Sequence, residues 1–167
     1  MKRYIVIAVS AALLFAVATQ ATAQTADTNI FGIELGQVIG YNFDNEDVGV
    51  GQLMAIQFGL AESMEVGFAF ISGEPGANPD MPDFALVRLS YFMQDMLAFR
   101  LSTGSSTAGT TDGVAAGAGI VTSPFRRTIN DSFTTALNLS LDYLIPDVTA
   151  DFDEGIFAVS ITGKVAF

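Results

Sequence analysis

The chain has 167 residues, half of them hydrophobic, with 18 acidic residues against 7 basic ones. It contains no histidine and no cysteine, which excludes a Ser-His-Asp triad, a cysteine nucleophile and the usual zinc sites. The net charge of −11 argues against a nucleic-acid partner. The glycine-rich stretch Gly113–Gly119 is not followed by the Lys-Ser/Thr of a phosphate-binding loop, so we expect no enzyme and no cofactor.

The first residues have the pattern of an export signal. Lys2 and Arg3 precede an apolar run, Tyr4–Ala18, and the small residues Ala21–Ala23 follow as a cleavage site. The apolar run is shorter than the roughly 20 residues that a retained transmembrane helix needs. We therefore expect residues 1–23 to be a cleavable signal peptide and residues 24–167 to form one domain.

The rest of the chain alternates between apolar and polar or small residues with a period of two, the pattern of a strand with two different faces. In chain order, the alternating segments cover residues 31–43, 54–60, 64–70, 85–93, 97–101, 114–120, 133–145 and 157–167. Eight such segments predict eight β-strands, several of them close to the 9–11 residues that a tilted membrane strand requires.

The gaps between these segments differ in length. Long gaps are predicted at residues 44–49, 73–83, 105–112 and 146–154, and tight turns at 62–63 and 94–95. The remaining gap, Ser123–Asp131, contains Pro124 and is predicted as a longer turn. Short turns at one end and longer loops at the other are typical of an up-and-down antiparallel barrel.

Charge separates the two faces of the predicted strands. The apolar phase of these segments carries no charge, whereas the opposite phase contains six charged residues: Glu34, Glu65, Arg88, Arg100, Asp142 and Lys164. An Arg or Lys facing lipid at mid-bilayer costs about 2–4 kcal/mol, so we expect the charged phase to line the lumen. Because buried charges persist only when paired, we predict a compensated ion-pair network there, with Glu34 opposite Lys164 and no evident partner for Asp142.

Aromatic residues of the apolar phase lie near the strand ends. They predict two girdles at the membrane–water interfaces. One contains Tyr41, Phe43, Phe70, Tyr143 and Phe157, and the other contains Phe31, Tyr91, Phe133 and Phe167. A soluble, lipocalin-like barrel, with the apolar phase pointing inward, remains an alternative, since both architectures have one apolar face.

The last segment resembles the C-terminal signature of bacterial outer-membrane proteins, which alternates apolar residues and ends in an aromatic residue. Its matching positions are Phe157, Val159, Ile161, Val165 and Phe167. With the leader and the eight segments, the mature chain resembles the small OmpA/OmpX/OmpW-like barrels. The resemblance implies an all-β, eight-stranded antiparallel up-and-down transmembrane β-barrel in the outer membrane, inserted by the barrel-assembly machinery.

The function expected from these features is a structural or surface-interaction role, in adhesion or envelope integrity, with a lumen plugged by ion pairs. A narrow passive channel for ions or small apolar molecules is the alternative. Acidic residues concentrate in the predicted long loops, where Asp151, Asp153 and Glu154 are candidate ligands for Ca²⁺ or Mg²⁺. No loop has the full spacing of a calcium loop, so we expect these residues to be solvated. Separately, we expect the barrel to be a monomer.

Overall fold

The computed structural model describes residues 31–42, 47–61, 63–73, 81–94, 97–108, 111–130, 133–149 and 155–167. The predicted signal peptide, residues 1–23, lies outside these ranges. Among the described residues there is no helix long and apolar enough to cross a membrane. The strands are β1 (Phe31–Asn42), β2 (Asp47–Ala61), β3 (Met64–Gly73), β4 (Asp83–Gln94), β5 (Leu97–Ala108), β6 (Thr111–Asn130), β7 (Phe133–Ile145) and β8 (Ile156–Ala166).

The strands form a closed barrel in sequence order, with each strand antiparallel to its neighbours, as predicted. Closure is completed by the pairing of β1 with β8, where the Phe167 N–H donates to the Phe31 carbonyl at 2.7 Å and the Phe31 N–H donates back at 3.3 Å. Both described chain ends therefore lie at one end of the barrel, here called the turn end. The β1–β2, β3–β4, β5–β6 and β7–β8 connections lie at the other end, here called the loop end.

The hydrogen-bond register is staggered around the barrel. Paired residues followed from Phe31 through β2 to β8 lead back to β1 at Tyr41, ten residues further along. With a rise of about 3.3 Å per residue and a strand spacing of about 4.8 Å, this stagger tilts the strands by about 40°. Ten residues at that tilt span about 25 Å of height, the height of the apolar band of outer-membrane barrels.

The apolar phase faces outward, and the phase that contains the charged residues faces the lumen. Leu35 on β1 and Ile161 on β8 are each 56% exposed, whereas Glu34, the residue before Leu35, is 1% exposed. This orientation is the opposite of the one that a soluble, lipocalin-like barrel requires. Met64 is an exception, since it lies in the apolar phase but is buried beside a register shift in the β2–β3 ladder.

The predicted long gap at residues 105–112 is wrong. Strand β5 continues to Ala108 and β6 begins at Thr111, with Ser106 paired to Gly113 and Thr107 to Asp112. Apart from Asp112, the segment consists of Ser, Thr, Gly and Ala residues, which give no hydrophobic alternation. A β-ladder requires only backbone donors and acceptors, so these residues extend the strands without that signal.

The predicted turn Ser123–Asp131 is also wrong over most of its length. Strand β6 continues through it to Asn130 and pairs with β7. Pro124 cannot donate to the ladder, and a register shift between Thr122 and Phe125 accommodates it. The connection to β7 is therefore as tight as the other two at the turn end.

The buried side chains that face the lumen form two layers. The half nearer the loop end contains an apolar layer, which includes Val38, Leu53, Ile71, Phe84, Leu86, Leu144 and Ile156. Below it lies a polar layer with Glu34, Arg88, Arg100 and Asp142, all buried. The sequence pattern did not indicate the apolar layer, because these positions belong to the phase that was expected to be polar or small.

Candidate functional site

Glu34 is the centre of the polar layer. Its carboxylate accepts hydrogen bonds from Gln57 Nε2 at 2.6 Å, from Asn138 Nδ2 at 3.1 Å and from the Thr162 hydroxyl. These donors come from β2 on one side of β1 and from β7 and β8 on the other side, so the Glu34 side chain is held from both directions. Asn138 is itself oriented, since the Ser123 hydroxyl donates to its Oδ1 at 2.7 Å. The carboxylate thus receives fixed donors in place of water.

Arg100 bridges two carboxylates across the lumen. Its Nη2 lies 3.8 Å from Glu34 Oε2, and its Nη1 lies 3.5 Å from Asp142 Oδ2. Asp142 also accepts a hydrogen bond from the Ser140 hydroxyl at 2.7 Å, and Ser140 is 2.6 Å from the Ser160 hydroxyl. The sequence offered no partner for Asp142, and the structure places Arg100 there.

Arg88 is the second cation of this layer. It is 3% exposed, and its Nε and Nη1 atoms have no hydrogen-bond partner among the described residues. The same holds for Arg100 Nε, Asp142 Oδ1 and Gln57 Oε1. Arg88 lies within electrostatic range of Glu34, Asp142 and Arg100. Two guanidinium groups therefore balance two carboxylates, with spare donors and acceptors on both sides.

Lys164 and Glu65 form a separate pair nearer the turn end. Lys164 Nζ lies 2.5 Å from Glu65 Oε1 and 6.0 Å from the centre of the Phe92 ring. Glu34 and Lys164 are register partners, as the neighbouring strands predicted, but their predicted ion pair is wrong. The lysine stem is long enough to reach across the lumen to β3, and Glu34 is already held by neutral donors and Arg100.

At the loop end, the described parts of two connecting segments pack against the strands. Met81 is buried against glycines of three strands, and a Cβ added at Gly49 would come within 2.5 Å of Met81 Cβ. Gly40, Gly51 and Gly73 surround the same side chain. On the other side, Val148 is buried and its N–H donates to the Val114 carbonyl at 2.8 Å.

The predicted aromatic girdles and the C-terminal segment lie on the outer face. At the turn end, the Phe167 ring lies 6.2 Å from Phe31 and 5.4 Å from Phe133, and Phe31 lies 5.6 Å from Phe58. At the loop end, the Tyr143 and Phe157 rings are 4.9 Å apart. Phe157 is also the register partner of Tyr41. Phe70 and Tyr91 are exposed on the outer face, and Phe43 lies outside the described residues.

The acidic loop residues are only partly described. Asp83 accepts a hydrogen bond from the Gly73 N–H at 2.8 Å, and Asp112 accepts one from the Thr107 hydroxyl at 2.9 Å. Asp147 accepts from both the N–H and the hydroxyl of Thr149. No group of three potential metal ligands occurs within the described ranges. Asp151, Asp153 and Glu154 lie outside them, so the expectation that these residues are solvated, and the alternative that they bind a cation, both stay untested.

No family model and no curated protein matches the chain. Among solved structures, it is similar to Ail, the attachment invasion locus protein of Yersinia pestis, with a TM-score of 0.51 and 13% identity over 81% of this chain and 96% of that chain. It is also similar to Neisserial surface protein A, with a TM-score of 0.49 and 10% identity over 81% of this chain and 94% of that chain. A de novo designed transmembrane β-barrel gives a TM-score of 0.48 and 19% identity over 80% of this chain and 94% of that chain.

At these identities only the fold is shared. The chain has the fold of the small eight-stranded outer-membrane β-barrels: closed, antiparallel and up-and-down.

Proposed function

We propose that this chain is a bacterial outer-membrane β-barrel with a structural or surface-exposed role, in adhesion or envelope integrity, and with a lumen closed by ion pairs. The burial of the lumen-facing side chains is the observation that supports the proposal. Arg100, which lies between Glu34 and Asp142, is 2% exposed, and the apolar layer occupies the lumen above it. A barrel without a passage acts through its wall and its loops.

The outer surface supports the membrane location. Large apolar side chains on every strand are exposed, among them Leu35, Phe68, Phe99 and Ile161. In water, a contiguous apolar band of this kind would be an aggregation site, whereas lipid solvates it. The closed sheet also leaves no free strand edge within the band, which hydrocarbon requires.

Export and assembly complete the proposal. Residues 1–23 direct the chain across the inner membrane and are removed. The barrel-assembly machinery then recognises the last strand through its outward-facing Phe157, Val159, Ile161, Val165 and Phe167. Four of these side chains are at least 39% exposed and Val165 is half-buried, so they form one stripe on the lipid side.

The proposal is tested by cell fractionation and by gel mobility of boiled and unboiled samples. We expect the protein in the outer-membrane fraction, with a mobility that shifts on heating as the detergent-resistant barrel unfolds. Planar bilayers containing the folded protein should show no stable single-channel steps. Recovery of a soluble protein with no heat-dependent shift would contradict the membrane location.

A narrow passive channel is the second candidate. The unpartnered atoms of Arg88, Arg100 and Asp142 favour it, because buried polar groups that lack protein partners generally bind water. A channel through this layer would give stable conductance steps in the unmodified protein, and their size or selectivity would change when Arg88 or Arg100 is replaced. Such steps would overturn the closed lumen while leaving the outer-membrane barrel intact.

A further inference from the structure

The turn-end part of β6 extends past its neighbour β5. The β5–β6 ladder ends where Leu97 pairs with Thr122, whereas β6 continues to Asn130 and pairs with β7 alone among the described residues. Its register places Phe125 and Arg127 on the outward phase, and Ile129 lies at the register shift that follows them. These three residues are here called the β6 stripe. Phe125 is 70% exposed and Ile129 is 57% exposed.

Arg127 is the only cation on the outward face of the described strands. Of the seven basic residues, Arg88, Arg100 and Lys164 face the lumen, and Lys2 and Arg3 belong to the predicted leader. Arg126 and Arg127 remain, and their registers place them on opposite faces. Arg127 pairs with Thr135, which in turn pairs with the outward-facing Val165. Arg126 pairs with Ala136, which in turn pairs with Lys164 in the lumen.

The β6 stripe lies at the level where the membrane surface is expected. The rings of Phe31, Phe133 and Phe167 cluster at this end of the barrel, and aromatic clusters of this kind mark the lipid headgroup region. The register partner of Arg127 is Thr135, which lies two residues from Phe133 along β7. A guanidinium here escapes the cost that it would have at mid-bilayer, because its flexible stem reaches the headgroups.

We propose that the β6 stripe binds an anionic phospholipid, with the Arg127 guanidinium on the lipid phosphate and with Phe125, on the membrane side of Arg127, against the acyl chains. This inference rests on the proposed membrane location. The planar guanidinium of arginine matches a phosphate with two parallel hydrogen bonds. The Phe125 ring is exposed and can contact the acyl chains while the Arg127 charge stays at the surface. Because Arg127 is the only cation on the outward face of the described strands, no other position on that described face offers a phosphate the same partner.

The test measures lipid retention on the folded mature barrel. The protein is extracted from bilayers containing equal amounts of phosphatidylglycerol and phosphatidylcholine, washed, and its bound lipids are quantified by mass spectrometry. We expect phosphatidylglycerol to be enriched on the unmodified protein. One basic residue at a membrane surface changes the binding of anionic lipid roughly fivefold, so Arg127→Gln should lower the enrichment by about that factor.

Arg126→Gln is the matched control, because it removes the same charge from the adjacent residue on the other face of the same strand. It should leave the enrichment unchanged, and Arg127→Lys should retain most of it. Equal losses in the two glutamine variants, or no enrichment in the unmodified protein, would overturn the lipid site. Arg127-dependent binding of a polyglutamate peptide without lipid enrichment would assign the surface to a protein partner and also overturn it. Failure of the unmodified protein to form a heat-modifiable barrel would instead count against the proposed function.

Discussion

Replacing Arg100 by methionine tests whether the lumen charges are paired. Arg100 lies 3.8 Å from Glu34 and 3.5 Å from Asp142, and all three side chains are at most 4% exposed. At an effective dielectric constant of about 20, each pair is worth about 4 kcal/mol before desolvation is subtracted. Removing one partner of a buried pair costs about 3–5 kcal/mol, because the remaining charge stays buried. Glu34 keeps three hydrogen-bond donors and Asp142 keeps only Ser140, so we expect a loss of about 4 kcal/mol, most of it due to Asp142.

The assay is equilibrium unfolding in urea from lipid vesicles, followed by the mobility of unboiled samples. With a slope of about 2 kcal/mol per molar urea, the expected loss lowers the midpoint by about 2 M. The exposed Arg126→Met variant is the control and should change the midpoint little. Adding Asp142→Asn to Arg100→Met should recover part of the loss, since it removes the carboxylate left unpaired. Equal midpoints for Arg100→Met and Arg126→Met would refute the pairing and would mean that the lumen charges are hydrated.

Three further substitutions, one of them with a matched control variant, test other parts of the barrel. Glu34→Gln keeps the shape of the side chain but removes its charge, and we expect about 2–4 kcal/mol of lost unfolding free energy by the same urea assay. Gly36→Ala should cost about 1–3 kcal/mol, because the new methyl group would overlap the backbone of β8, whereas Gly163→Ala on that strand meets nothing closer than 3.9 Å and should be neutral or slightly stabilising. Phe167→Ala removes two ring contacts and the terminal aromatic residue, so we expect slower appearance of the heat-modifiable form in cells, and an unchanged rate would count against an assembly role.

The strands and their faces were predictable from sequence because the membrane imposes a strict rule on the outward phase. Side chains such as Leu35 and Ile161 must be apolar there, and the intervening positions are free to carry charge. The period of two therefore predicts both the existence of strands and their orientation. The β5 extension to Ala108 escaped prediction because its Ser, Thr and Gly residues lie near the end of the barrel, where the rule no longer applies.

The ion pairs were not predictable from sequence for a different reason. Sequence places Glu34 beside Lys164, and the register agrees. The partner of a charge in the lumen is chosen among side chains from all around the barrel, and that choice depends on the stagger of the strands and on side-chain length. Arg100 on β5 reaches Glu34 on β1 across the lumen, a contact that no local pattern encodes.

Pro124 shows how one residue can mislead the prediction of an element. Proline usually ends a central strand, so the chain from Ser123 to Asp131 was expected to turn. The missing N–H is harmless in the structure because β5 has already ended beside it and the β7 side has a register shift. Arg127 belongs to this part of β6. Because the segment was predicted as a turn, the sequence pattern placed no cation on the outward face.

The two lumen layers lie in series, so we expect the proposed closure of the barrel not to depend on the ion pairs alone. In the apolar layer, Leu144 and Phe84 are at most 2% exposed, and an apolar constriction resists ions by excluding water. We therefore expect Arg88→Ala combined with Arg100→Ala to remain non-conducting in planar bilayers, provided that gel mobility shows a folded barrel. Adding Leu144→Ala to that variant should produce measurable leak, because it opens the second layer above the first. Conductance in the arginine variant without the leucine change would mean that the apolar layer does not seal the lumen and that the charges alone close it.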